Sequence, residues 1–277
     1  YLHLFKEACA LYDGPVTFPS SIPILMLSRL ASRAGVKVLM SGQGGDELFM
    51  GYVRYRRWIE EGLREEQDVN IWAERLYFGG GLDKVDRVEA LTGQSRDVAR
   101  QSPVYQWIFN HQDLSPLKRM AIFDQKFRLM HLLKRDDRMG MGGSVEIRVP
   151  FLDRDFVSWA NALDDKWKIN GLQLKYALKE IGKSTLPEAI TSSPKMGSPV
   201  DFESWISTPQ FVTMLRDLVE GENSFSKDYL EFDKVRLLVK DHERNFGFGH
   251  LAWCIFSLEH WYRACFHDSD YPGGSAA

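Results

Sequence analysis

Cysteine is nearly absent from this chain: 277 residues contain only Cys9, Cys254 and Cys265. Their wide spacing makes neither a disulfide framework nor a zinc-ligand pattern, and buried, reduced thiols are the expectation. Long apolar runs are missing, which excludes a membrane-spanning helix. No signal-peptide pattern opens at Tyr1, so a cytoplasmic location is expected. An excess of one charge is missing too. Thirty-five Lys and Arg stand against 38 Asp and Glu, a net charge of −3, which offers no global attraction to a polyanion. Arg54, Arg56 and Arg57 with Tyr52, Tyr55 and Trp58 imitate a nucleic-acid patch, but a solvated helix face suits the acidic total better. His111, His131, His250 and His260 show no ligand spacing and are assigned no metal. There is no internal repeat. At 44% hydrophobic and 26% charged residues, the composition is that of a globular protein with one large domain or two small ones.

Against these absences, one stretch stands out: Lys37–Tyr52, KVLMSGQGGDELFMGY. The apolar run Val36–Met40 reads as a buried parallel strand. A Ser-Gly-x-Gly-Gly turn closes it and a helix start follows. In open α/β sheets ligands bind at that end of the strands. Gly42, Gly44 and Gly45 permit close backbone approach. Asp46 and Glu47 make the loop too acidic for a bare phosphate cradle. They suit a phosphate whose charge is bridged by a divalent cation, Mg²⁺. The loop therefore points to metal-assisted chemistry on a nucleotide.

Elsewhere the pattern is mainly helical. Helices are expected over Leu2–Leu11, over Ile24–Ala34 with Gly35 as the stop, and over Glu47–Leu63. Further helices are expected over Pro103–Asn110, Leu117–Leu133, Phe156–Leu163, Gln173–Ile181 and Phe211–Glu220. Met139–Gly143 reads as a small-residue loop and Val145–Val149 as a short alternating segment. Glu65–Gln101 has a weak pattern around Gly79-Gly80-Gly81, and Asp268–Ala277 reads as a flexible tail after a domain over 1–267.

Four blocks carry a resemblance. Ser41–Tyr52 resembles the SGEGxDExFGGY segment of the asparagine synthase family, in the carboxyl-terminal synthetase domain of the glutamine-hydrolysing enzyme. Leu133–Met141 with Val145–Asp153 resembles its LLxKxDRMSM…LEVRVPFLD block. Leu186-Pro187 through Ser193-Pro194-Lys195-Met196-Gly197 is similar to LPxxIxxRxKxGF. Leu251–Phe266 resembles its final helix. The blocks occur in the family's order over most of the chain. The resemblance implies an α/β fold of the adenine-nucleotide alpha-hydrolase-like type, a Rossmann-like parallel sheet, here incomplete and predominantly helical. The family's leading SGGxDS pyrophosphate loop and its amino-terminal glutaminase domain find no match in this sequence. The expectation is a synthetase domain without its opening segment, in which half of the phosphate cradle is missing.

Several roles follow from the resemblance alone. Asp46 matches a ligand of Mg²⁺-pyrophosphate, while the bland reading is a helix N-cap. Glu47 would contact substrate or merely suit the first helical turn. Ser41, Gly42 and Gln43 would touch ATP. Gln43 stands where the family usually has an acid. An amide cannot act as a general base, though it can hydrogen-bond ATP or orient a nucleophile. Tyr52 would face the triphosphate or simply pack, and packing is the commoner fate of a helical aromatic. Lys195 matches the lysine that neutralises phosphate charge in the transition state, against the reading of a solvated loop lysine. Arg135 matches a position near the substrate carboxylate, and a salt bridge with Asp136, Asp137 or Glu146 is the alternative. Arg148 and Asp153 are expected to hold loop architecture.

The implied activity is ATP-dependent amide formation. Aspartate would be activated as an acyl-adenylate and attacked by ammonia that a glutaminase domain releases from glutamine. ATP and Mg²⁺ are the implied cofactors, and a homodimer is compatible with the resemblance. Two alternatives stay open. One is a related ligase on the same fold, amidating a sugar acid or closing a ring as β-lactam synthetases and lasso-peptide cyclases do. The other is a non-catalytic fragment, in keeping with the missing pyrophosphate loop.

Overall fold

The computed structural model describes residues 2–62, 89–94, 100–193, 202–245 and 249–267. The chain is a mostly helical α/β protein with a small parallel sheet. Helix α1 (Leu2–Tyr12) and helix α2 (Ser21–Arg33) come first. Gly35, at φ +79°, ends α2 as its sequence position predicts. Strand β1 (Val38–Met40) follows and pairs in parallel with β2 (Glu146–Arg148), Leu39 opposite Ile147. The expected strand is thus present and parallel, but shorter than Val36–Met40 and not buried. Val38 is 46% exposed and Met40 71%. Among the described residues only β2 joins β1, and Val38 and Met40 stay exposed, so apolar character alone does not bury the strand.

The glycine loop leads into helix α3 (Gly45–Leu48) and then α4 (Val53–Glu60). One continuous helix over Glu47–Leu63 was expected. It breaks because Met50 adopts a left-handed conformation, φ +51°. Helices α5 (Pro103–Phe109) and α6 (Pro116–Phe123) each start from a serine whose side chain accepts a backbone N–H, with proline at the first helical position. A π-helical turn at Asp124–Arg128 runs into helix α7 (Leu129–Gly142). The loop expected at Met139–Gly143 is therefore the end of a helix. Its small residues let α7 pass close to Leu11 of α1 and Ser28 of α2 while keeping helical hydrogen bonds.

After β2 and the 3₁₀ turn Pro150–Leu152 comes helix α8 (Arg154–Ala162). The Asp153 carboxylate caps it, accepting from the N–H groups of Asp155 and Phe156. Helix α9 (Asp165–Lys168) leads into an antiparallel hairpin of β3 (Ile169–Asn170) and β4 (Gln173–Leu174), and then helix α10 (Tyr176–Gly182). A helix was expected from Gln173. The Gly171-Leu172 turn, with Gly171 at φ +57°, pairs Gln173 and Leu174 with β3 first, so the helix starts only after Lys175. Helix α11 (Glu188–Thr191), α12 (Phe202–Ile206), α13 (Pro209–Glu220), α14 (Phe225–Tyr229), α15 (Phe232–Asn245) and α16 (Gly249–Phe266) complete the order. The expected flexible tail and most of Glu65–Gln101 lie outside the described residues.

Three apolar clusters hold these elements. The largest joins α1, α2, α13, α15 and α16 around Phe5, Phe211, Trp253 and Phe256. Phe5 meets Trp253 edge to face at 5.3 Å, and the Trp253 indole N–H donates to the Val16 carbonyl at 3.1 Å. Cys9 is buried there, and desolvation pushes its thiol up to about 12. Cys254 is half-buried, and Cys265 is exposed on the last turn of α16. Burial of all three thiols, as expected, therefore fails where the helix turns outward.

The second cluster gathers α4, α5, α6 and the hairpin around Tyr55, Trp107 and Phe123. The third is small, with Leu48 and Phe49 against Ala160 and Ala177. Leu48 and Phe49 point into this third cluster, but Met50 enters the second. Adjacent residues of a regular helix differ by only about 100° in direction. Three consecutive side chains, the last in a left-handed conformation, thus anchor the loop in two cores. Phe49 is fully buried against Phe151, Phe156 and Trp159. Phe49→Ala is expected to lower stability by about 3–5 kcal/mol in urea denaturation. A loss below about 1 kcal/mol would show that the loop is not anchored there.

Candidate functional site

The site is built on the turn between β1 and α4. The Ser41 N–H donates to the Arg148 carbonyl at 2.8 Å, which extends the parallel ladder to the first loop residue. Gly44 takes φ +91° as the N-cap of α3, a conformation that side chains rarely adopt. Asp46 is therefore inside the first turn of α3 and not its N-cap, contrary to the bland reading of that residue.

The loop residues Ser41, Gly42, Gln43, Asp46, Glu47 and Tyr52 come together, and they differ in environment. Gly42 is exposed, Ser41 and Gln43 are half-buried, and Glu47 is buried. The Asp46 carboxylate lies 2.8 Å from the Lys175 ammonium, at side-chain exposures of 20% and 29%. Lys175 precedes α10 in a left-handed conformation, φ +53°, and its N–H donates to the Phe49 carbonyl at 3.2 Å. Gly51 is packed between the partners. A Cβ there would overlap both the Asp46 carboxylate and the Lys175 side chain.

Glu47 faces the other way. Its carboxylate accepts a hydrogen bond from the Tyr52 hydroxyl. Burial holds the Glu47 carboxyl above its ordinary range, with neighbouring Asp46 and Asp124 adding to the effect of desolvation. The Tyr52 hydroxyl is pushed up as well, first by burial and then by Glu47. The Arg54 guanidinium lies 4.1 Å from the centre of the Tyr52 ring and pairs with the fully buried Asp124. Asp124 also accepts from the Tyr55 hydroxyl at 2.6 Å and pairs with Arg128 at 3.1 Å. Arg54 is thus drawn inward instead of lying on the solvated face expected for it, because the buried Asp124 needs a counter-charge.

Arg135, on α7, is 7% exposed. Its guanidinium binds Asp136 at 2.7 and 2.9 Å and the Ser20 hydroxyl at 2.8 Å. The Ser41 hydroxyl donates to the other Asp136 oxygen at 3.4 Å, so Arg135 reaches the loop through Asp136. Lys195 lies outside the described residues. Lys175 and the Asp124 network were missed by the sequence reading. The Gly171-Leu172 turn signalled the hairpin that delivers Lys175, but nothing in its spacing tied that lysine to Asp46.

Among the described residues, no three His, Cys, Asp or Glu side chains converge as a metal cage. Glu47 is committed to Tyr52, so Asp46 is the loop carboxylate placed to meet a cation. One carboxylate sharing a cation with phosphate oxygens is an ordinary arrangement for Mg²⁺, and the donor set fits it. A carboxylate and an ammonium side by side at a strand's carboxyl end can together handle a metal-bound polyphosphate. No helix among the described residues is long and apolar enough to cross a membrane.

The family model described as Asparagine synthase matches residues 1–263. A relative from Mycobacterium bovis is 25% identical over 296 residues, which covers 94% of this chain and 45% of that protein. Asparagine synthetase (glutamine-hydrolyzing) 1 of Bacillus subtilis is 24% identical over 260 residues, covering 83% of this chain and 40% of its own. The chain thus spans less than half the length of these relatives.

Two outcomes follow from the geometry. Because the Glu47 carboxyl is held above its ordinary 4.5, the folded protein keeps that proton more tightly than the unfolded chain. The stabilisation is complete below that value and is lost as pH rises through the raised one. Glu47→Gln keeps an acceptor for Tyr52 and removes the titration. Urea denaturation between about pH 4 and 8 should show the variant gaining on wild type with rising pH, by at most about 1.4 kcal/mol per pH unit. A difference independent of pH would mean an unshifted carboxyl. At Gly51, alanine should separate Asp46 from Lys175 and cost about 1–3 kcal/mol through overpacking. An unchanged crystal structure of Gly51→Ala would contradict this.

Proposed function

The chain belongs to the asparagine synthase family, and we propose that it carries the phosphate-handling part of an ATP-dependent, amide-forming ligase. The fold proposed is of the adenine-nucleotide alpha-hydrolase-like type. The observation that carries the reading is the pairing of Asp46 with Lys175 in a glycine loop at the carboxyl end of β1. It supplies one group for a cation and one for an anion.

The chemistry begins with a carboxylate, which is a poor electrophile. Its oxygen attacks the α-phosphate of ATP, the bond to the β-phosphate breaks, and pyrophosphate leaves. The resulting acyl-adenylate has a good leaving group. Ammonia attacks its carbonyl, AMP departs with the bonding pair, and an amide remains after loss of a proton. Aspartate is the acid that the Bacillus subtilis relative's name implies, with ammonia released from glutamine by a glutaminase domain. Asp46 would hold Mg²⁺, which supplies charge neutralisation on the phosphates when bound. Lys195 would disperse charge on the departing pyrophosphate. Ser41, Gly42 and Gln43 would line the nucleotide, with Tyr52 locked beside them by Glu47. Arg135 would act at the acid only through Asp136 and Ser41.

A second reading, a related ligase acting on another carboxylic acid, is favoured by Gln43, which removes the acid the family usually has there. Oxygen tracing tests the common chemistry. With ¹⁸O in the carboxylate of the acid substrate, one label should appear in AMP for each amide formed. Formation of ADP, or of unlabelled AMP, would rule out adenylation.

A further inference from the structure

A cavity of about 550 Å³ opens beside the Asp46 loop, between Gly51 and helices α10 and α11. Its charged lining is entirely cationic, made by Arg56, Lys175 and Lys179, and no Asp or Glu lines it among the described residues. The Lys179 ammonium donates to the Ser193 carbonyl at 3.2 Å. Lys175 is fixed by its ion pair with Asp46 and by its backbone bond to Phe49. Ile181, Leu186 and Ile190 also line the cavity and are 58%, 50% and 60% exposed, so the described residues leave apolar area there uncovered.

This lining is a poor match for aspartate. An amino-acid ammonium needs a carboxylate, and the described lining has none. Aspartate has a single methylene to place against three branched side chains, whereas burial stabilises a ligand in proportion to its apolar area. Cationic and branched aliphatic side chains lining one cavity, with no carboxylate among the described lining, fit an amphiphilic monocarboxylic acid.

We infer that the cavity binds the acid to be activated, with its carboxylate at Lys175 and an apolar body, larger than that of aspartate, against Ile181, Leu186 and Ile190. This rests on the ligase reading and deepens it by naming the acid's class. It also places the carboxylate beside Asp46, where the phosphates would be held.

Calorimetric titration of the protein with octanoate, octanamide and aspartate tests the assignment. Octanoate is expected to bind at least about ten-fold more tightly than either of the others. Ile190→Asp, at an exposed position that leaves folding intact, should weaken octanoate binding at least about ten-fold. Lys175→Met should abolish the preference for octanoate over octanamide, with circular dichroism reporting that the variant is folded. Octanoate binding no tighter than aspartate, or unchanged in Ile190→Asp, would overturn the assignment. The ligase reading is judged separately by the oxygen label. Transfer from aspartate without octanoate binding overturns the cavity's role and spares the ligase. Octanoate binding with no transfer from either acid overturns the ligase and, with it, the acid's standing as substrate.

Discussion

The site depends on the burial of three consecutive side chains, Leu48, Phe49 and Met50. Each is at most 1% exposed, and together they enter two different cores. The chain leaves the helix here, with Met50 in a left-handed conformation. The break ends α3 after one turn, which leaves Asp46 on the rim and Glu47 inside. It also turns the Phe49 carbonyl to receive the Lys175 N–H. The position of Asp46, the direction of Glu47 and the reach of Lys175 are thus consequences of one packing decision.

Around that anchor, charge is sorted by burial. Asp46 and Lys175 form a partly exposed pair at the mouth, within reach of water. Glu47, Tyr52, Arg54 and Asp124 form a chain of contacts that leads inward. A fully buried Asp124 is tolerable only because Arg54, Arg128 and Tyr55 converge on it. The π-helical turn that carries Asp124 offsets the register between α6 and α7, a device often found where a side chain must be aimed. The inner chain of contacts is drawn into the protein, while the outer pair stays partly exposed.

Much of this was legible in the sequence. Pro103 marked the start of α5, and Gly35 gave α2 its end. The strand-loop-helix order around Ser41–Tyr52 was readable from one apolar run and three glycines. Helix α15 went unread although its signal was present: Val235, Leu238, Val239 and His242 recur at helical spacing and are buried. Other features left no local trace. Apolar residues in Val36–Met40 suggested a covered strand, yet coverage depends on which elements come to lie on it. Met139–Gly143 looked like a loop because small residues favour turns, but here they admit neighbouring helices.

By itself, the sequence determined the family, the glycine loop with its paired acids, and single helix boundaries such as the end of α2 at Gly35, because these rest on residue chemistry within a few positions. Tertiary structure alone decided that Lys175 meets Asp46, that Arg135 spends its guanidinium on Asp136 and Ser20, and that a cationic, aliphatic-walled cavity opens beside the loop. Those outcomes rest on left-handed backbone steps at Met50 and Lys175 and on ion pairs between distant segments. Both are set by packing free energy, which no spacing of letters encodes.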